Sequence, residues 1–587
     1  MEVSRIFDLL PYYKDKFEPK DDVIAGKEDG EWVKYSIDRY IEIVDHLSYG
    51  FLKLGVQPGD NIATISDNRP EWNFIDMAVS RIGAVHVPIY PTISESDYKY
   101  ILNHAGVKFV FVAGMELLRK IQHILPEVKS LQGLYTFKHI DDVSHFGELL
   151  GLGKENPDPE EVRKRENAID PHHVVTIIYT SGTTGIPKGV MLSHQNLLSN
   201  VEGVYRIFPV DQYSRGLSYL PLCHVYERMN IYTYHYLGVS IYYAENMGTI
   251  GDNIREICPH ILTTVPRLLE KVYDKIMTKG RKLRGIKRVL FFWAVRLGHQ
   301  YDYGRKDPFY RLQLSLANKL IFSKWRDALG GNMRVIVSGG AALQPRLAKV
   351  FTAARIPVLE GYGLTETSPV IAVNTFEKGG AAFGTVGKPL ANVEVKIADD
   401  GEILARGPNV MKGYFREPGM TAGVISSDGW FHTGDIGKLE PAGHLRITGR
   451  KKEIFKTSLG KYISPAQIEN RFTESPFIDA LIVVGENQKY AAALIVPDFE
   501  YLRTWCHLEG IRFTTKEEMV KEKVVRDRFK KEIDHFNTFF GNTEKIMRFH
   551  ILGKEWSVEN GELTASLKLR RNHIMEKYAD EISGLFN

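Results

Sequence analysis

Short apolar runs recur along the chain with amphipathic stretches between them, and this alternation restricts the fold more than any other feature. NIATIS (61–66) and AVHVPIY (84–90) flank a helical-looking EWNFIDMAVSRIG, and similar runs return at FVFVAG, VVTIIYT, ILTTV, RVIVSGG and PVLEGYG. Strands that alternate with helices bury their apolar faces as layered, mainly parallel α/β sheets. An amphipathic helix from about Tyr40 joins these layers, with Val44, Leu47, Phe51 and Leu54 on one side and Gly55 as its stop.

At 587 residues the chain exceeds one ordinary domain, and about 150 residues per domain indicates roughly four units, some of them lobes sharing a core. Gly153–His173, polar and proline-containing, reads as a solvated connection. From about Val386, short strands with Gly and Asp turns, such as NVEVKIADDGEILARG, indicate a small β-rich lobe. After Arg450, LIVVGENQKYAAALIVP reads as two strands about a polar turn, and a charged helical remainder completes a small α+β domain. The expected architecture is a large N-terminal α/β domain over 1–449 and a small C-terminal domain over 450–587.

Hydrophobic residues make up 43% and charged residues 25%, the balance of a globular chain with ample apolar surface to bury. Lysine and arginine number 76 against 72 acids, a net charge of +4 that disfavours a nucleic-acid binder, and no recognition motif accompanies it. Cys223, Cys258 and Cys506 are far apart and lack C-x-x-C spacing, which argues against structural zinc and a disulfide framework. The opening MEVSRIFDLLPYYKDKFEPKDD has acids where a signal peptide has an apolar core. No run of about 18 apolar residues occurs either, so a cytoplasmic chain without a membrane span is expected. Lys271 to Trp325 stands apart, because RKLRGIKRVLFFWAVRLGHQYDYGRK (281–306) sets many cations beside Leu290, Phe291, Phe292, Trp293 and Val295. It reads either as a helical hairpin packed on its own protein or as a peripheral contact with the inner face of an anionic membrane.

IIYTSGTTGIPKGVMLSH (177–194) reads as strand, small flexible loop and helix, the helix beginning at SHQNLL. Glycine lets backbone N–H groups converge, Ser181, Thr183 and Thr184 add hydroxyl donors, and Lys188 adds a positive charge, a constellation suited to polyphosphate. It is not the G-x-x-x-x-G-K-[ST] loop, because Lys188 lies between Pro187 and Gly189. On its own the stretch reads equally as a plain Gly/Ser/Thr connection.

Five further stretches decide between these readings: YLPLCHVYERM (219–229), GYGLTETSP (361–369), GWFHTGD (429–435), ITGRKKEIFKTSLGKYISP (447–465) and NGELTASLKLRR (560–571). In this order and spacing the chain resembles the adenylate-forming superfamily along essentially its whole length, and most closely its long-chain fatty acyl-CoA synthetases. The resemblance implies that ATP activates a fatty acid to acyl-AMP with release of pyrophosphate, and that CoA then displaces AMP. Two anions must meet in such a reaction, and removing one preorganised donor from developing charge costs about 3 kcal/mol.

Residue by residue, the resemblance implies that Thr180, Ser181, Gly182, Thr183, Thr184 and Lys188 grip the β- and γ-phosphates, and that Glu366 ligates Mg²⁺ with the hydroxyl of Thr180, hard oxygen ligands for a hard ion. Gly361 and Tyr362 would hold adenine, Thr365 a phosphate, and Gly339, Gly340 and Ala341 would let base and acyl chain approach the backbone. Asp435 would accept from both ribose hydroxyls, with Arg450 near phosphate and ribose. The small domain is expected to be mobile, with Lys452 as hinge, Lys456 serving thioesterification and Lys568 bridging carboxylate and α-phosphate during adenylation. Gly449 stands where the family pattern commonly has aspartate, which puts the hinge, though not adenylation, in doubt.

Cys223 beside His224 could mean a thiolate–imidazole nucleophile. If YLPLCH is extended, however, neighbouring side chains point to opposite faces, and His224 is expected to line the acyl-adenylate site instead. Two other functions remain open at this point: a ligase that loads an acyl carrier protein, and a catalytically silent acyl or nucleotide sensor. Chain length preference and oligomeric state have no signature.

Overall fold

The computed structural model describes residues 2–181, 186–305, 307–564 and 568–587. They form two compact units: Met1–Lys396 with Leu404–His432 and Pro441–Leu445, and Ile397–Ile403 with Thr433–Glu440 and Arg446–Asn587. Four of the five changeovers fall inside the strands Glu394–Ile397, Glu402–Arg406, Phe431–Leu439 and Leu445–Arg450, within the stretch read as short strands after Val386.

Among the described residues the first unit holds a nine-stranded and a seven-stranded sheet. Six adjacent strands of the larger sheet are parallel, from Val358–Gly363 through Val335–Ser338, Ile261–Thr264, Arg215–Ser218 and Ser240–Tyr243 to Ile24–Glu28. The smaller sheet runs parallel through Val174–Ser181, Val85–Ile89, Asn61–Ile65, Val107–Val112 and Gly133–Thr136. Strands such as Val85–Ile89 are buried at every position, as expected where helices cover both faces of a parallel sheet. The helix Pro70–Arg81 starts on a proline whose φ is preset for the first turn, and the helix Ile37–Lys53 starts where Ser36 accepts the N–H of Arg39 at 3.2 Å. Val44, Leu47 and Phe51 form its fully buried stripe.

Three local expectations need correction. The stretch 153–173 contains a helix, Pro159–Ala168, capped by Asp158 with Pro159 at its first position and Val162 turned into the core, so a single buried residue sufficed where polarity indicated a loop. The expected strand–loop–helix around TSGTTG has an extra element: PKGVMLS returns as an antiparallel strand, Pro187–Ser193, before the helix His194–Val204. YLPLCH is a turn instead of an extended segment, because Pro221 ends the strand Arg215–Ser218 and its carbonyl accepts the His224 N–H at 2.9 Å.

In the second unit the antiparallel strands Ile478–Val484 and Ala491–Pro497 form the foreseen pair, and Ile546–Ile551 adds to the latter in parallel. The middle strand is buried throughout and packs with Phe499, Leu502, Phe529 and Ile533 of two helices.

Candidate active site

In the first unit, parallel strands end side by side and deliver the expected residues to one edge. Val335–Ser338 and Val358–Gly363 are paired in register, so Gly339, Gly340 and Ala341 leave one C-terminal end while Gly361 and Tyr362 close the other. Ligands of open α/β sheets collect outside these carboxyl ends. A Cβ on Gly339 would stand 3.1 Å from the Tyr226 ring, and Gly340 holds φ +80°, so both places favour glycine.

The β-hairpin puts Thr180 opposite Lys188. Gly182, Thr183 and Thr184 lie outside the described residues, and of Ser181 only the backbone is described. On the far side of Pro187–Ser193 the chain returns as Gly413–Tyr414, pairing Tyr414 with Val190. Tyr414 is buried; its hydroxyl donates to Glu366 Oε1 at 2.9 Å, and its ring lies under the Lys188 ammonium at 5.3 Å. Burial, and then the Glu366 charge, raises the phenol above its ordinary range, so it stays a donor. Glu366 and Thr365 lie in the turn Thr365–Thr367, which is pinned at 2.9 Å by the Met411 N–H on the Glu366 carbonyl. The buried amides of Asn200 and Asn409 both donate to the Thr367 and Val370 carbonyls.

His224 caps the helix Val225–Leu237. Its Nδ1 accepts the Tyr226 N–H at 3.1 Å, which leaves the proton of the neutral ring on Nε2. Cys223 is buried and its thiol is pushed up by that burial, so it is no nucleophile, although the reason is desolvation and not strand alternation.

In the second unit Asp435 is buried, and its Oδ1 accepts from Arg450 Nε at 2.8 Å across 15 residues of sequence. Lys452 is exposed in the turn Lys451–Glu453, one residue on from Lys451, which binds Asp400 at 2.6 Å and Glu402 at 2.8 Å. A side chain at Gly449 would put Cβ 2.4 Å from Ser464 Oγ, which accounts for glycine in place of aspartate. Lys456 is exposed on a two-strand hairpin, 5.5 Å over the Tyr462 ring. Lys568 is exposed; Thr564 N–H donates to its carbonyl at 2.8 Å and its own N–H donates to Thr564 Oγ1 at 3.0 Å.

The family of AMP-binding enzymes matches residues 15–415, and the AMP-binding enzyme C-terminal domain matches residues 452–587. This chain belongs to the AMP-binding enzymes. Within that family it is 32% identical to a long-chain-fatty-acid–CoA ligase, FadD15, of Mycobacterium bovis, over 95% of this chain and 93% of the relative. It is likewise 32% identical to the peroxisomal long chain acyl-CoA synthetase 7 of Arabidopsis thaliana, over 95% and 83%. It therefore stands among the long-chain acyl-CoA synthetases. Among solved structures, an anthranilate CoA ligase bound to anthranoyl-AMP superposes with a TM-score of 0.72 at 16% identity, over 98% of this chain and 97% of that one. ATP-bound MatB from Rhodopseudomonas palustris gives 0.71 at 20%, over 98% and 99%. At such identities the shared property is the adenylate-forming fold.

Sequence motifs did not single out the support beneath this candidate site. Arg228, four residues after His224 on the same helix, is fully buried and pairs with Asp76, and it also donates to Thr176 at 2.6 Å and Tyr232 at 2.7 Å. Tyr232 and His86 complete the Asp76 shell at 2.6 and 2.8 Å. Burial alone would raise the Asp76 carboxyl, but Arg228 and His86 outweigh it and hold it at about 2. The cluster joins the helix behind His224 to the strand leading into the phosphate hairpin. Its sequence signal is weak, because the two helices hold other polar residues, Asn73 in one and Glu227 and Asn230 in the other.

Proposed function

We propose that the residues just described carry out AMP-forming activation of a long-chain fatty acid and its transfer to CoA. The observation that carries this reading is the Lys188–Tyr414–Glu366 cluster, a cation and a carboxylate held on one buried phenol beside the carboxyl ends of parallel strands. Lys188 neutralises the outer phosphates of ATP, and the hairpin N–H groups and hydroxyls share that task. Glu366 and Thr180 are hard oxygen donors suited to Mg²⁺, which takes one or two protein carboxylates and completes its shell from phosphate and water. Among the described residues no group of three or more His, Cys, Asp or Glu side chains would hold an ion by itself, so the nucleotide is expected to bring it. When bound, Mg²⁺ draws charge from the phosphates as pyrophosphate leaves.

Tyr362 and the 339–341 backbone receive adenine, Asp435 and Arg450 the ribose, and His224 faces the acyl-adenylate with an Nε2 proton to donate. Lys568 draws carboxylate and α-phosphate together. The functional division lies at 449/450, and a turn about Lys452 exchanges Lys568 for Lys456 when the CoA thiol attacks.

The test is a panel of carboxylic acids from acetate to long-chain fatty acids, with AMP release measured in the presence of ATP, Mg²⁺ and CoA. Long chains are expected to give the highest kcat/KM. A preference for short or aromatic acids would overturn the substrate assignment, and AMP release that needs an acyl carrier protein in place of CoA would overturn the acceptor.

A further inference from the structure

The helices Gly285–His299 and Pro308–Ala317 pack on the first unit through one side only. Phe291, Ala294, Val295 and Gly298 of the first helix are buried, as are Tyr310 and Ala317 of the second. Away from that core each helix shows a second apolar stripe at helical spacing. Ile286 and Val289 are 69% and 63% exposed; Phe309 and Leu312 are 68% and 69% exposed, and Leu316 and Leu320 continue their line. Trp293 donates to Gln313 at 3.3 Å between the helices, which sets the two stripes beside each other. Isolated exposed apolar residues are ordinary, but six in two adjoining stripes form a patch.

The charge along this segment is mostly positive. From Lys275 to Trp325 the sequence holds thirteen Lys and Arg against two Asp. Lys279, Lys282, Arg284, Lys287, Lys319 and Lys324 are exposed on these helices and the segments that join them. A second copy of this chain seated on the patch by two-fold symmetry would set the same cations against themselves. A nucleic acid would meet the cations and leave the stripes in water. An anionic bilayer satisfies both, taking apolar side chains into the headgroup boundary and cations onto lipid phosphate.

We propose that this helix pair is a docking surface for an anionic lipid bilayer, with the Ile286–Val289 and Phe309–Leu312–Leu316–Leu320 stripes entering the interface. The chain lies on the membrane and does not cross it: no described helix is long and apolar enough to span. The inference goes beyond the acyl-CoA reading and stands without it. If both hold, the site works next to the phase in which its fatty acid partitions.

The full chain should be sedimented with phosphatidylcholine vesicles and with vesicles containing phosphatidylglycerol. It is expected to bind the anionic vesicles, and raised salt should weaken that binding. The triple variant Phe309→Ser, Leu312→Ser, Leu316→Ser, with unchanged charge, should lose vesicle binding. Lys282→Gln and Lys287→Gln should each weaken it about fivefold. All five positions are exposed, so melting temperature and AMP release from detergent-dispersed substrate should match the parent. No sedimentation with either vesicle, or binding untouched by the triple variant, overturns the proposal. So does self-association in ultracentrifugation that the triple variant abolishes while vesicle binding stays absent, which would make the patch a contact between copies.

Discussion

The two lysines given the phosphate-handling roles stand in opposite settings. Lys188 is fixed by strand register opposite Thr180, and its ammonium rests on the ring of a buried tyrosine whose hydroxyl holds Glu366. Lys568 is exposed, tied to Thr564 by one hydrogen bond to its backbone N–H and one to its side-chain hydroxyl. The first is a preorganised site that costs little to align when nucleotide arrives. The second suits a group that is presented in one step and withdrawn in the next.

Four measurements break or sharpen this contrast. Asp76→Asn strips the counter-charge from a fully buried Arg228 and should cost about 3–5 kcal/mol of stability in urea unfolding. A cost within that of a surface substitution would show that the hairpin setting does not lean on the cluster. Lys568→Ala should lower fatty-acid-dependent ATP–pyrophosphate exchange by about a hundredfold or more while thioester formation from supplied acyl-adenylate continues. Undiminished exchange would falsify its assignment.

Tyr414→Phe keeps a ring under Lys188 and removes only the donor to Glu366. Loss of a hydrogen bond to a charged group, about 2 kcal/mol, should weaken MgATP affinity in calorimetry about thirtyfold. Lys188→Ala in the Tyr414→Phe background should then lose less than additively if the three act as one cluster.

The last measurement concerns pH dependence. His194 is buried, with Nδ1 accepting the Ile6 N–H at 3.1 Å, and burial pushes its pKa down from 6.5 to about 3. The unfolded chain then takes up a proton before the folded one, so stability present above pH 6.5 is lost as pH falls toward 3. The slope of stability against pH in that window should flatten for His194→Gln by about one proton; an unchanged slope would show that other groups carry the acid response.

Much of this was legible along the chain. Apolar runs of four to eight residues located the parallel strands, because a strand buried on both faces has no polar alternation to confuse it. GYGLTE, SGG and HTGD marked the candidate nucleotide residues, because turns that bring backbone to a ligand need glycine at fixed places. The return strand Pro187–Ser193 escaped notice because Pro187 and Gly189 look like loop residues, yet Pro187 is the first residue of the strand, where proline is tolerated. Helix Pro159–Ala168 escaped because it buries Val162 alone.

The residues Lys188, Glu366, Asp435 and Lys568, and the α/β layering that carries the first two, follow from local sequence, since strand periodicity, turn chemistry and motif order act over neighbouring residues. Tertiary structure alone decided what stands beside them. Tyr414 reaches Glu366 only because a two-residue strand from a distant segment adds to the edge of the phosphate hairpin. Asp76 meets Arg228 across 152 residues because two buried helices pack on one sheet. Such pairings depend on contacts between elements remote in sequence, and no local pattern encodes a partner that the fold alone brings near.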